Sequence, residues 1–225
     1  MKVTVLSGSG RYQDRWHDFT ATSVEVARAL EPLGLDVAVR AFRPQGVAEV
    51  RDTDLLVVNA GRGEYHESID GPEDEWSEAF RTIRAHLELG RPLLALHSAS
   101  NTLDGLDGWH QWVGGRWTAA SKHPPIGTAR VEVTDADHPI TRGLAAFTVL
   151  DERYCHLDRF PGSRVLLHHE HEGAHEPLVW AVEREGTRTV YDALGHDARS
   201  FATPERVDLL RREVRWLLGT TSEAG

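Results

Sequence analysis

The stretch Pro92-Leu93-Leu94-Ala95-Leu96-His97-Ser98-Ala99-Ser100-Asn101 limits what this chain can fold into more than any other. Five mostly large apolar residues in a row, ending abruptly in small and polar ones, read as a strand buried on both faces that runs into a turn and a short helix. A strand covered on both sides belongs to a parallel sheet flanked by helices. Ligands of such open sheets sit outside the carboxyl ends of the strands, so His97 and Ser98 fall where a reactive group is presented.

The preceding residues supply the rest of that sheet. Lys2 to Leu6 reads as a first strand, followed by the loop Ser7-Gly8-Ser9-Gly10. That loop lacks the third glycine of a dinucleotide fingerprint, with Gln13 in its place, so no nucleotide cofactor is expected. It carries Arg11, Tyr12 and His17 toward the strand ends. Asp18 or Thr20 caps a helix with Val26, Ala27, Leu30 and Leu33 at helical spacing, stopped by Gly34. Val37 to Phe42 and Asp54 to Ala60 are the next strands, the latter apolar enough to be central. Pro72 opens a helix whose Glu73, Asp74 and Glu75 complement its positive end, with Trp76, Phe80, Ile83 and Leu87 on one face. This order predicts right-handed crossovers and helices on both faces.

The second half is a series of short strands: Ala129 to Val133, Phe147 to Leu150, Val165 to His168, Leu178 to Val182 and Thr187 to Tyr191. The last two pair as a hairpin through Glu185-Gly186, and Thr203-Pro204 caps a final helix. No repeat or long linker forces a boundary, so residues 1–225 read as one domain with a flexible tail from about residue 220.

Charge narrows the partners. A formal net charge of −10, with no run among the 25 basic residues, speaks against nucleic acid. No apolar stretch approaches the roughly 20 residues that span a bilayer, and the N-terminus does not read as a signal peptide, so no membrane partner and a cytoplasmic location are expected. The single cysteine, Cys155, excludes internal disulfides and fits a reducing compartment. Nothing fixes the oligomeric state, and a homo-oligomer stays open.

Among the 13 histidines, His97 and His196 stand out, because each ends a strand that delivers it to the same sheet edge. In Asp151-Glu152-Arg153-Tyr154, Glu152 supplies a carboxylate and Tyr154 a phenol beside those histidines, as an acid/base pair or as metal ligands; the competing reading is a solvated loop. Two prolines hold His123 in an extended loop. The run His168-His169-Glu170-His171-Glu172, with His175 beyond, lacks zinc-protease spacing and reads as a surface feature.

Taken together, these segments resemble the ThuA-like family, named for a trehalose utilization protein, within the class I glutamine amidotransferase-like superfamily. The matching motifs are Leu96-His97-Ser98-Ala99-Ser100, Gly115 to Pro125, Asp137-His138-Pro139-Ile140-Thr141, Asp151-Glu152-Arg153-Tyr154, Pro177-Leu178-Val179-Trp180 and Tyr191-Asp192-Ala193-Leu194-Gly195-His196. They cover roughly residues 90 to 218 in order. The resemblance implies a flavodoxin/Rossmann-like, mostly parallel α/β sheet with helices on both faces and an added antiparallel hairpin portion. The amidotransferase elbow carries a cysteine; here His97 occupies it with Ser98 next, so glutamine hydrolysis through a thioester is not expected.

What the resemblance implies instead is carbohydrate metabolism: use of a disaccharide or keto-sugar glycoside, by acid/base-catalysed cleavage or isomerisation of a sugar derivative. In that reading Glu152, His196, His123 and Tyr154 are the catalytic group, and His97, Ser98, His17, Tyr12 and Trp117 contact substrate, with Trp109, Trp112 and Trp117 offering ring faces. A divalent metal, zinc or manganese, on His97, His123, Glu152 and His196 is a further expectation. A non-catalytic sugar-binding or regulatory module and a metal-dependent hydrolase of another small substrate are the alternatives.

Overall fold

The computed structural model describes residues 1–220; the expected flexible tail lies outside the described residues. In chain order the elements are β1 (Lys2–Ser7), α1 (Phe19–Leu30), β2 (Asp36–Ala41), α2 (Pro44–Ala48), β3 (Leu55–Asn59), α3 (Glu67–Asp70), α4 (Glu73–Glu88), β4 (Leu93–Leu96), α5 (Trp109–Val113), β5 (Gly115–Arg116), β6 (Gly127–Val133), β7 (Phe147–Asp151), β8 (Asp158–Arg159), β9 (Arg164–His171), β10 (Ala174–Arg184), β11 (Thr187–Asp192) and α6 (Pro204–Leu217). Among the described residues no helix is long and apolar enough to cross a membrane.

One nine-stranded sheet runs β2-β1-β3-β4-β11-β10-β9-β6-β7. The first five strands in that order are parallel, and from β11 onward every pairing is antiparallel. The expected added hairpin is therefore a wing of four strands, with a small second sheet of β5 and β8. All residues of β3 and β4 are buried, which is why these segments read as unbroken apolar runs.

The connection β1 to β2 steps one way along the sheet and β3 to β4 the other, so right-handed crossovers put α1 and α4 on opposite faces. Asp18 caps α1 through the Ala21 N–H at 2.9 Å, and α1 packs beside α6. Helix α4 buries Trp76, Ala79, Ile83 and Leu87 at helical spacing and packs against α2. Thr203 occupies the N-cap of α6, but its side chain makes no capping bond, and Pro204 at the first turn starts the helix instead.

The antiparallel wing curls. In a flat sheet β7 would lie about 19 Å from β11, four strand spacings away. Yet Asp151 at the end of β7 accepts a hydrogen bond from the Gly195 N–H, just past β11, at 2.8 Å. A register irregularity in β10 between Pro177 and Val179 supplies part of the bend. The curl brings residues 151–154 over the carboxyl edge of the parallel strands.

Candidate active site

A cleft of about 520 Å³ opens at that edge. The connections leaving the carboxyl ends of four parallel strands line its floor: His17 lies in the loop after β1, Gly61 just past β3, Ser98 just past β4 and His196 in the segment after β11. The curled wing adds Glu152 and Tyr154, and the segment after β5 adds Trp117 and His123.

Three imidazoles and one carboxylate meet on the floor. Glu152 Oε2 lies 3.2 Å from His196 Nδ1, 3.4 Å from His97 Nε2 and 3.9 Å from His17 Nε2. Outer partners orient two of the rings. His97 Nδ1 donates to the Ala193 carbonyl at 2.6 Å, and His17 Nδ1 donates to the Asp14 carboxylate at 2.7 Å. In each ring the proton is held on Nδ1, so the Nε2 lone pair faces inward. Tyr154 Oη donates to His97 Nε2 at 2.9 Å, and Ser98 Oγ donates to His17 Nε2 at 3.3 Å. His196 Nδ1 is near Glu152 but not aligned with it, and this buried atom has no hydrogen-bond partner.

The backbone enforces this convergence. His97 has φ +44°, the left-handed region that a side-chain-bearing residue rarely adopts, and it turns the chain sharply at the end of β4. Tyr191 Oη donates to the His97 carbonyl at 2.8 Å, holding the strained turn. Asp151 accepts from the Glu152 and His196 N–H groups through one oxygen, and from the Gly195 N–H and Ser200 Oγ through the other. One buried carboxylate thus fixes the segments that carry Glu152 and His196.

Electrostatics follow from the packing. Burial would raise the Glu152 carboxyl, but His196 and His97 beside it hold it well below the usual carboxylate range. Burial would lower His196, but Glu152 holds it above the ordinary histidine value. Burial lowers His17 despite its bond to Asp14, and burial lifts the Tyr154 phenol well above its usual value.

His97, Ser98, His17, Glu152, Tyr154, His196, His123 and Trp117 come together at one site. His123 stands at the rim, with Nδ1 3.1 Å from Glu152 Oε1, and belongs to the mouth rather than to the floor quartet. Tyr12 does not reach the site: it is buried, stacked on Phe42 with ring centroids 4.3 Å apart and edge-on to Trp76. Trp109 is likewise a core residue, donating to the Ala99 carbonyl. Cys155 is buried, and burial pushes its thiol up to about 11, so it offers no reactive thiolate. Asp14 and Trp16 are additional cleft residues that the sequence did not single out; Trp16, 67% exposed at the cleft, sits in an irregular loop with no periodic signal.

A family model described as ThuA, trehalose utilisation, matches residues 2–217. Among solved structures, a ThuA-like protein from Parabacteroides merdae superposes with TM-score 0.78 at 18% identity, covering 100% of this chain and 92% of its own. A ThuA-like protein from Bacteroides uniformis gives TM-score 0.74 at 15% identity over 99% and 93% of the two chains. A glutamine amidotransferase from Thermotoga maritima gives TM-score 0.56 at 12% identity over 97% and 98%. At these identities the likeness is one of fold. No curated protein matches the chain.

Proposed function

The chain belongs to the ThuA family, described as trehalose utilisation, and from that membership we propose that the cleft binds a sugar derivative and moves a proton beside a carbonyl on it. The observation that carries this reading is the convergence of Glu152 with three imidazoles at the base of a cleft walled by Trp117 and flanked by Trp16. Indole faces suit the apolar side of a pyranose ring, and the Tyr154 and Ser98 hydroxyls at the floor are donors that suit an oxygen that gains charge as an enolate forms.

His123 is the base in this reading. Its Nδ1 lies 3.1 Å from both Glu152 Oε1 and the Pro124 carbonyl, two acceptors that keep the proton there and leave Nε2 basic. On a 3-keto-glycoside, Nε2 takes the C–H proton next to the carbonyl and the enolate develops toward the floor. The glycosidic C–O bond then breaks as the enolate collapses, and the departing oxygen is protonated from Tyr154 or water.

NMR in deuterated water with a panel of disaccharides and their 3-keto derivatives tests this. The expected result is deuterium entry next to the carbonyl, followed by release of the aglycone, with both lost in His123→Ala and in Glu152→Gln. No exchange with any member of the panel overturns the reading.

A further inference from the structure

We infer that the floor of the cleft is a divalent transition-metal site made by His17 Nε2, His97 Nε2, His196 Nδ1 and Glu152 Oε2. The inference deepens the reading above and rests on it for the metal's role, though not for its existence. The four donor atoms lie within 4.8 Å of one another. The distances from Glu152 Oε2 to the three nitrogens, 3.2, 3.4 and 3.9 Å, bracket the edge of about 3.4 Å that a tetrahedron with bonds of about 2.0–2.1 Å requires.

Proton inventory argues for a cation at the centre. His97 and His17 spend their Nδ1 protons outward, on the Ala193 carbonyl and the Asp14 carboxylate, so two lone pairs and a carboxylate oxygen point at one another. Ser98 and Tyr154 offer those lone pairs hydroxyl protons, but His196 Nδ1 is buried there without a hydrogen-bond partner. A metal ion satisfies all four atoms at once. The outer partners are the kind that orient metal-bound imidazoles: a carboxylate for one and a backbone carbonyl for the other. Three imidazoles and one carboxylate favour zinc or a neighbouring first-row ion over magnesium or calcium. Relative to the sequence expectation, His17 replaces His123 in the ligand set. Held by these four residues with a fifth position open to the cleft, such an ion would supply Lewis-acid polarisation of a carbonyl oxygen, and His123, outside the ligand set, would stay free to carry the proton.

The same residues include Asp14, His17 and Ser98 in the order of a nucleophile triad. The two arrangements compete for His17 Nε2, and the experiment separates them. Full-length protein is stripped with chelator, then titrated with Co²⁺ and followed by visible absorption and calorimetry, with Zn²⁺ as competitor. The expected result is one equivalent of Co²⁺ with the intense bands of a four- or five-coordinate site, displaced by Zn²⁺. His196→Ala abolishes it, Asp14→Ala weakens it 10- to 100-fold through its effect on His17, and His168→Ala with His175→Ala leaves it intact.

Absence of uptake by wild-type protein overturns the inference, as does uptake unchanged in a His196→Ala variant whose circular dichroism is native. Uptake lost only in the His168/His175 variant overturns it too, as does stoichiometric labelling of Ser98 by a fluorophosphonate in zinc-loaded protein. Proton exchange on a keto-sugar by the fully stripped protein would overturn the metal's role in the reaction and leave the sugar reading standing. Metal uptake with no sugar exchange would do the reverse.

Discussion

Asp151 is the most informative single position, because one side chain fixes two segments of the cleft. Its Oδ1 accepts the Glu152 N–H at 2.8 Å and the His196 N–H at 3.1 Å; its Oδ2 accepts the Gly195 N–H at 2.8 Å and Ser200 Oγ at 2.6 Å. Asp151→Asn keeps the shape but replaces one oxygen with a donor. The less costly orientation puts the amide NH2 in place of Oδ2, where the Ser200 hydroxyl can turn to accept but the Gly195 N–H loses its partner. One buried unsatisfied donor costs about 1–3 kcal/mol, and the remaining bonds lose their charge assistance, so the total is about 3 kcal/mol. For a chain of this length that corresponds to a fall in Tm of roughly 6–12 °C. Ser200→Ala, which removes one of the four bonds, should cost about half as much. Scanning calorimetry with urea unfolding reads both. A fall below about 2 °C for Asp151→Asn, or a larger effect from Ser200→Ala, would refute the assignment of Asp151 as the charged anchor of this loop.

Other outcomes follow from separate parts of the molecule. Burial, the largest cause in each case, holds His86 and His138 down to about 4. Their unfolded counterparts titrate near 6.5, so they add stability above that pH and lose it progressively as pH falls toward 4. At pH 5.5 the loss is on the order of 1 kcal/mol per histidine, and His86→Gln should flatten that acid limb in urea titrations at pH 5.5 and 7.5. Arg206 and Asp192 form a fully buried ion pair at 2.8 Å beside buried Glu213. Arg206→Met leaves both carboxyls without a cation and should cost about 3–5 kcal/mol in urea unfolding; a loss under 1 kcal/mol would show that the pair is not holding the end of β11. Trp16 is largely exposed, so Trp16→Ala should leave Tm within about 1 °C while weakening binding of a bound sugar roughly 2- to 10-fold by calorimetry.

Much of the parallel sheet was legible because strands covered on both faces carry unbroken apolar runs, and β3 and β4 are such strands. Placement of His97 and His196 was legible for a related reason, since a strand's carboxyl end has a fixed relation to the sheet edge. His17 is harder. It reaches the floor because the loop after β1 folds against the loop after β3, with Gly61 N–H bound to the Tyr12 carbonyl and Gly63 N–H to the Arg11 carbonyl. Such a pairing between two irregular segments leaves no periodic trace. The same fold-back carries Tyr12 away from the cleft into the aromatic cluster with Phe42 and Trp76. Residues 151–154 read equally well as a solvated charged turn, because their burial depends on the curl of the wing. That curl is a property of four strands together, and no one of them encodes it.

The position of β11 also bears on how the molecule is made. It lies between β4 and β10 although about ninety residues separate β4 from it along the chain, so within the sheet the parallel half and the wing are joined through a strand late in the sequence. A chain that has reached Tyr154, just past β7, holds His17, His97 and Glu152 but lacks both the Ala193 carbonyl that orients His97 and the Gly195–His196 segment that Asp151 secures. Closure of this long loop is entropically slow, as non-local pairings generally are. The quartet therefore cannot close until β11 and the Gly195–His196 segment have paired with the rest of the sheet.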